Sequence, residues 1–146
     1  MIEAASEVDL AALVEIEREC FDADAWSETL VRAELDAPSR SMFVAREDDL
    51  VIGYVSIAVA ADLAELLRIA VRPEVRERGN GRQLLDEAMR AARAGGGQRM
   101  LLEVAADNAA AMRLYRSAGF TDIDRRFGYY GPERDGLVLG RSLDEH

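Results

Sequence analysis

The sequence contains no lysine: all 18 of its basic residues are arginine. Schiff-base chemistry and every other mechanism that needs a lysine amine are therefore excluded. The one histidine, His146, stands at the very end, which excludes a histidine-based triad and a histidine-rich metal centre; no metal is expected. The one cysteine, Cys20, cannot form an internal disulfide and fits a reducing, cytoplasmic setting. Long apolar runs are missing too. The longest, Val51 to Ala61, is too short for a bilayer and is closed by Asp62, so no membrane partner is expected. Met1-Ile2-Glu3-Ala4-Ala5 lacks the basic start and apolar run of a signal peptide. Positive charge is scarce overall. A net charge of −10 and a pI near 4.6 argue against nucleic acid as a direct partner and are compatible with a cationic substrate.

What is present fits one soluble domain over residues 1–146, with 49% hydrophobic and 32% charged residues and enough length for a core. Met1 to Ala5 reads as a strand. Ser6 precedes a helix from Val8 to Cys20, with Leu10, Leu13, Val14 and Ile16 toward one side. Phe21 to Trp26 is a loop that serves either as a structural lid or as the mouth of a substrate site. Ser27 opens a second helix that ends before Pro38. Strands are expected over Ser41–Arg46, Leu50–Ala61 and Ala64–Val71, joined by turns at Glu47-Asp48-Asp49 and Asp62-Leu63, as an antiparallel meander. Gly53 marks a bulge or a close approach. A helix from Gly81 to Ala94 stops at Gly95-Gly96-Gly97, and a strand over Arg99–Ala105 follows it parallel to its predecessor. A helix over Ala109–Ala118 is capped by Asp107 or Asn108 and stopped by Gly119. Strands over Phe120–Tyr129 and Leu137–Leu143 close the chain.

The most unusual stretch is Arg76-Glu77-Arg78-Gly79-Asn80-Gly81-Arg82, between the strand ending at Val71 and the next helix. A Gly-x-Gly pair is commonly an ordinary turn. Here it opens a helix, whose first N–H groups lack internal partners and carry partial positive charge. Arg76, Arg78 and Arg82 add full charges on an acidic protein, so the loop is a candidate pyrophosphate cradle. It is not a P-loop, because no Gly-Lys-Ser/Thr follows. Nor is it the dinucleotide fingerprint, because Leu84 stands where a third glycine belongs.

Two further residues carry possible chemistry. Glu103 lies inside the apolar run Met100-Leu101-Leu102-Glu103-Val104, where an acid is solvated, paired or functional. Tyr115 stands seven residues after Asn108 on the same helical face, about 10 Å along the axis. Such a tyrosine is usually a core ring with a satisfied hydroxyl. This face can look across at both Glu103 and the basic loop.

Arg76-x-x-Gly79-x-Gly81 after Ile69-Ala70-Val71 resembles the acetyl-CoA signature of the Gcn5-related N-acetyltransferases (GNAT). Leu102-Glu103-Val104, Asn108-x-x-Ala111-x-x-Leu114-Tyr115-x-x-x-Gly119-Phe120 and Arg126-x-x-Tyr129-Tyr130 resemble the ribosomal-protein-alanine acetyltransferase group within it. Trp26-Ser27 fits the same group. The resemblance implies an α/β (α+β) fold with a mixed, mostly antiparallel sheet of about seven strands and four helices. Their order is strand, two helices, three strands, helix, strand, helix, two strands. Ala25, Ala105, Arg134-Asp135-Gly136 and Arg68 depart from the group's pattern, near where a peptide substrate would run.

The resemblance further implies acetyl transfer from acetyl-CoA to a protein N-terminal α-amine, that of alanine on a small-subunit ribosomal protein for example. Glu103 is implied as base, with desolvation raising its pKa, and Tyr115 as acid. Val71 N–H is the implied donor to the developing oxyanion. The backbone of Ile69, Ala70 and Val71 would hold the pantetheine arm with Asn108. Arg76, Glu77, Arg78, Gly79, Asn80, Gly81 and Arg82 would hold the pyrophosphate. The rival readings are acetylation of a small amine or lysine side chain by the same fold, and a non-catalytic acyl-CoA-binding partner protein.

Overall fold

The structure, a computed structural model, describes residues 1–144, so His146 lies outside the described residues. The strands are β1 (Ile2–Ala4), β2 (Arg40–Glu47), β3 (Leu50–Ala60), β4 (Leu63–Val71), β5 (Arg99–Ala105), β6 (Thr121–Arg126) and β7 (Gly136–Ser142). The α-helices among the described residues are α1 (Leu10–Phe21), α2 (Glu28–Asp36), α3 (Asn80–Ala94) and α4 (Ala109–Ser117). One sheet contains all the strands in the order β1-β2-β3-β4-β5-β7-β6. Only β4 and β5 run parallel, because α3 carries the chain back between them. The element order is the expected one.

Local chemistry explains most boundaries. Ser27 Oγ accepts the Leu30 N–H at 3.1 Å and starts α2. Asp48 and Asp49 take φ of 52° and 67°, which makes the two-residue turn that matches strand twist. Gly97 N–H closes onto Ala92 C=O at 2.8 Å, which ends α3 with Gly96 at φ 98°. Three boundaries differ from the sequence expectation. The first α-helix begins at Leu10 after a 3₁₀ turn over Glu7–Asp9, because Asp9 spends its carboxylate on the Ser6 N–H and on Arg46. The turn before β4 falls on Ala61 and Asp62, with Ala61 taking the positive φ of 55°. Strand β6 stops at Arg126, because Gly128 and Gly131 (φ 66° and 130°) fold the next residues into the hairpin loop instead of strand.

The sheet is covered on both faces. Leu84, Leu85 and Ala88 of α3 and Met112 and Tyr115 of α4 pack on one face with Met100, Leu102, Phe120 and Leu139. On the other face, Leu13 and Ile16 of α1 and Val31 of α2 pack with Val44 and Tyr54. Side chains alternate along a strand, so Met100, Leu102 and Val104 lie under α3 and α4, while Glu103 turns to the α1–α2 face.

Two bulges shape the centre. Between β2 and β3 the register shifts so that Ile52 is the extra residue beside Gly53. Between β3 and β4 it shifts again, with Leu67 extra. A Cβ on Gly53 would sit 2.7 Å from the Ala70 carbonyl oxygen, so the bulge and the close approach occur together. Gly53→Ala should therefore cost about 1–3 kcal/mol of stability through overpacking against rigid backbone. Urea unfolding measures this; an unchanged midpoint would show that β3 and β4 can move apart there.

Candidate active site

The site begins with a parting of strands. Only Leu63, Ala64 and Glu65 of β4 pair with β5, opposite Arg99, Met100 and Leu101. Past the Leu67 bulge the two strands diverge, while β4 stays paired with β3 as far as Val71 and β5 stays paired with β7. The Arg72 N–H bonds the Ile52 carbonyl of β3 at 2.8 Å. Alternation then turns the N–H and C=O groups of Ile69 and Val71 away from β3, into the opening. A strand edge without a ladder partner accepts an extended ligand as an added strand; here the Val71 carbonyl already accepts from Cys20 Sγ at 3.3 Å and from Arg76 Nε, which leaves the Ile69 groups and the Val71 N–H for that role.

The basic loop stands at the end of that opening. Gly79 precedes α3 in the left-handed region at φ 85°, and Glu77 also has a positive φ of 66°. The tightly turned backbone brings its N–H groups to the start of a 15-residue helix. Asn80 adds a second feature: its Nδ2 is buried and has no hydrogen-bond partner. Arg76 Nε donates to the Val71 carbonyl at 3.0 Å, so its charge sits over the end of β4. Arg78 is half exposed and only loosely paired with Glu47 at 3.7 Å. Arg82 is the exception, since its guanidinium bonds Asp86 at 2.9 Å and reaches toward Ser117 on α4. Gly81 lies in ordinary contact range of Val71 and Leu114, which brings α3, β4 and α4 together at this point. Asn108 caps α4, its Oδ1 accepting the Ala111 N–H at 3.2 Å. An unpaired strand edge, a basic helix start and an unpartnered amide together suit a long ligand ending in a pyrophosphate.

Glu103 is not desolvated as expected. Its side chain is 30% exposed, on the face opposite Leu102 and Val104, and its partner is the Arg126 guanidinium at 3.1 Å. Arg126 also lies 5.3 Å from the ring centre of Tyr129, which meets Tyr130 edge-on. Tyr115 is buried, 6% exposed, and packs edge-on against Phe120. Burial raises its phenol pKa, and Tyr130 raises it further. Tyr130 is itself raised, by burial first and then by the Glu103 charge. Tyr130 is thus coupled electrostatically to both Glu103 and Tyr115.

Sequence reasoning noticed Arg68 as an odd cation but did not find its partners. Glu17 of α1 is fully buried and receives Arg68 Nε at 3.1 Å and Nη2 at 2.8 Å. The Tyr54 hydroxyl and the Trp26 N–H donate to the same carboxylate. Burial opposes the charge on Arg68, yet the Glu17 carboxylate outweighs it and raises the guanidinium pKa. The only signal in the sequence was an acid among the apolar positions of α1. A separate open depression of about 840 Å³ lies against the outer side of α4 and β6, lined by Met112, Arg113 and Arg125, and includes none of these groups. Among the described residues no acids, cysteines or histidines gather as a metal site, and no helix is long and apolar enough to cross a membrane.

The parted strands, the basic helix start and the nearby carboxylate belong to a mixed sheet whose architecture and sequence match known acetyltransferases. The sequence profile of the acetyltransferase (GNAT) family matches residues 10–120, and the chain belongs to that family. It is an acetyl-CoA-dependent N-acetyltransferase. The N-alpha-acetyltransferase RimI of Mycobacterium tuberculosis is 34% identical over 134 residues, 88% of this chain and 83% of that protein. The crystal structure of the ribosomal-protein-S18-alanine N-acetyltransferase from Escherichia coli matches with a TM-score of 0.90 at 28% identity, over 100% of this chain and 95% of that one. The yncA structure from Salmonella typhimurium, solved with its cofactor acetyl-CoA, matches at 0.86 with 25% identity, again over 100% and 95%.

Two buried phenols, Tyr54 and Tyr115, and the more exposed Tyr130 set a pH limit. Tyr54, Tyr115 and Tyr130 are all raised above the ordinary 10, so the unfolded chain loses these protons first as pH rises. Stability contributed by the neutral phenols is intact below about pH 10 and falls above it. Tyr115→Phe should flatten that alkaline decline in urea unfolding, whereas an unchanged slope would mean that Tyr115 ionises as easily folded as unfolded.

Proposed function

We propose that this chain is a single catalytic domain that acetylates the N-terminal α-amine of a protein in the cytoplasm, alanine on a small-subunit ribosomal protein being the favoured target. The observation that carries this reading is the position of Glu103 on β5 just past the last residue paired with β4, partly exposed and held by Arg126. The names of two relatives, an N-alpha-acetyltransferase and a ribosomal-protein-S18-alanine N-acetyltransferase, support the substrate class.

Acetyl-CoA supplies an activated acetyl thioester. An α-amine has a pKa near ~8 and must lose a proton to attack. Glu103 takes that proton, directly or through one water. Its exposure to solvent and its pairing with Arg126 keep it ready to accept from an arriving ammonium, which competes with the guanidinium for the same oxygens. The Val71 N–H, turned into the opening, donates to the carbonyl oxygen as charge builds there. As the C–S bond breaks, Tyr115 gives its proton to the leaving sulfur, and the second proton shed by the attacking nitrogen restores the phenol; burial keeps the phenol protonated until then. The edge formed by Ile69, Ala70 and Val71, together with Asn108, holds the pantetheine arm. Residues 76–82 hold the pyrophosphate through backbone N–H groups, Arg76, Arg78 and the Asn80 amide; Arg82 contributes more to joining α3 with α4.

Glu103→Gln should lower kcat on an alanine-starting peptide by about 10²-fold, the usual loss for a general base. Tyr115→Phe should slow turnover and leave acetyl-CoA affinity, measured by calorimetry, nearly intact. Near-wild-type turnover of the first variant across pH would remove Glu103 from the role. A collapse of affinity in the second would make Tyr115 a binding or packing residue. Free small amines and lysine side chains outcompeting the peptide would contradict the substrate class.

A further inference from the structure

The Glu17–Arg68 cluster lies outside the groups that the transfer uses, yet it joins three elements around the site. Glu17 is wholly buried, and four donors from three places converge on its carboxylate: Arg68 Nε and Nη2 from β4, the Tyr54 hydroxyl from β3, and the Trp26 N–H from the segment between α1 and α2. Arg68 Nη2 also donates to the Asp24 carbonyl at 2.9 Å. The guanidinium lies 3.6 Å from the ring centre of Phe21 and 4.8 Å from that of Trp26. The polar anchors of the Phe21–Trp26 segment on β4 and α1 thus pass through one ion pair, while Phe21 and Trp26 also pack against the core of the α1–α2 face. Arg68 is next in sequence to Ile69, on the strand edge that opens from β5, and it faces the same side of the sheet as Glu103.

The segment lies within electrostatic reach of the loop between β6 and β7. Asp24 acts on the charge of Arg134, which is bonded to Asp107 at 2.8 Å. Arg126, from the same hairpin region, holds Glu103. Glu103 and Arg68 share the face of the sheet that α1 and α2 cover, opposite α3 and α4.

We propose that Glu17 and Arg68 are positioning residues for the acceptor peptide. Their ion pair fixes Phe21 and Trp26 as the wall against which the first residues of the peptide are held, without touching the acetyl-CoA side. The proposal rests on the peptide reading given above. A planar, bidentate fork performs this task; a lysine ammonium at the same place keeps the charge and cannot span Glu17, Asp24 and both rings.

The test is steady-state kinetics on the full chain with an alanine-starting peptide and acetyl-CoA, for the wild type, Arg68→Lys and Glu17→Gln, with folding checked by circular dichroism. Arg68→Lys should raise the peptide KM at least tenfold, lower kcat by less than threefold, and leave the acetyl-CoA Kd from calorimetry within twofold. Glu17→Gln should show the same split; if that variant does not fold, the double variant Glu17→Gln/Arg68→Gln, which buries no lone charge, is measured in its place. A folded Arg68→Lys with an unchanged peptide KM overturns the proposal. So does an equal loss for both substrates, which would make the cluster a general support of the fold. Failure of the wild type to turn over the peptide at all defeats the peptide reading and is seen before any variant is compared.

Discussion

The separation of β4 from β5 is the constraint on which the rest depends. A parallel pair in the middle of a covered sheet normally bonds along its length. Here the ladder has three residue pairs and then opens. The Leu67 bulge makes the opening possible, because an extra residue increases local twist and ends pairing. It has a second effect on side chains. After the extra residue, Arg68 and Ala70 face α1, while Ile69 and Val71 join the cluster under α3. One inserted residue thus frees a strand edge and aims Arg68 at Glu17.

Leaving strand N–H groups unpaired is unfavourable by itself, and the surrounding structure compensates. On one side the α3 and α4 cluster ties the β1–β4 half to the β5–β7 half through Leu84, Leu85, Leu102 and Phe120. On the other, the Glu17 carboxylate gathers donors from α1's own neighbours and from both central strands. A buried ion pair of this kind is weak as a source of net stability. Removing a single partner nevertheless strands a charge and costs about 3–5 kcal/mol. Its effect is to fix one arrangement, which suits a wall that must stay in register with the opening.

Much of this was legible in the sequence, and the reason is that the signals are local. Ser27, Pro38 and the glycines at 95–97 mark helix ends by backbone chemistry that acts within a few residues. The meander, the parallel return and the basic loop follow from turn residues and periodicity. Glu103 shows where such reasoning stops. Its apolar neighbours Leu102 and Val104 share one face, so period-2 alternation puts the acid on the other; whether that other face is covered depends on α1, α2 and the hairpin, which lie far away in the chain. The Glu17–Arg68 pair, 51 residues apart, was invisible for the same reason. The Leu67 bulge carries no glycine or proline to announce it. Arg82 belonged to a recognisable loop, but its side chain found Asp86 one turn along the helix instead.

In the proposed binding mode the open edge of β4 receives acetyl-CoA as an added strand. Amide hydrogen exchange read residue by residue, with and without acetyl-CoA, addresses it most directly. The account predicts that exchange at Ile69 and Val71 slows sharply on addition of acetyl-CoA, while Ala70 and Arg72, whose N–H groups already point to β3, change little. Protection confined to other segments, with Ile69 and Val71 exchanging as before, would contradict it.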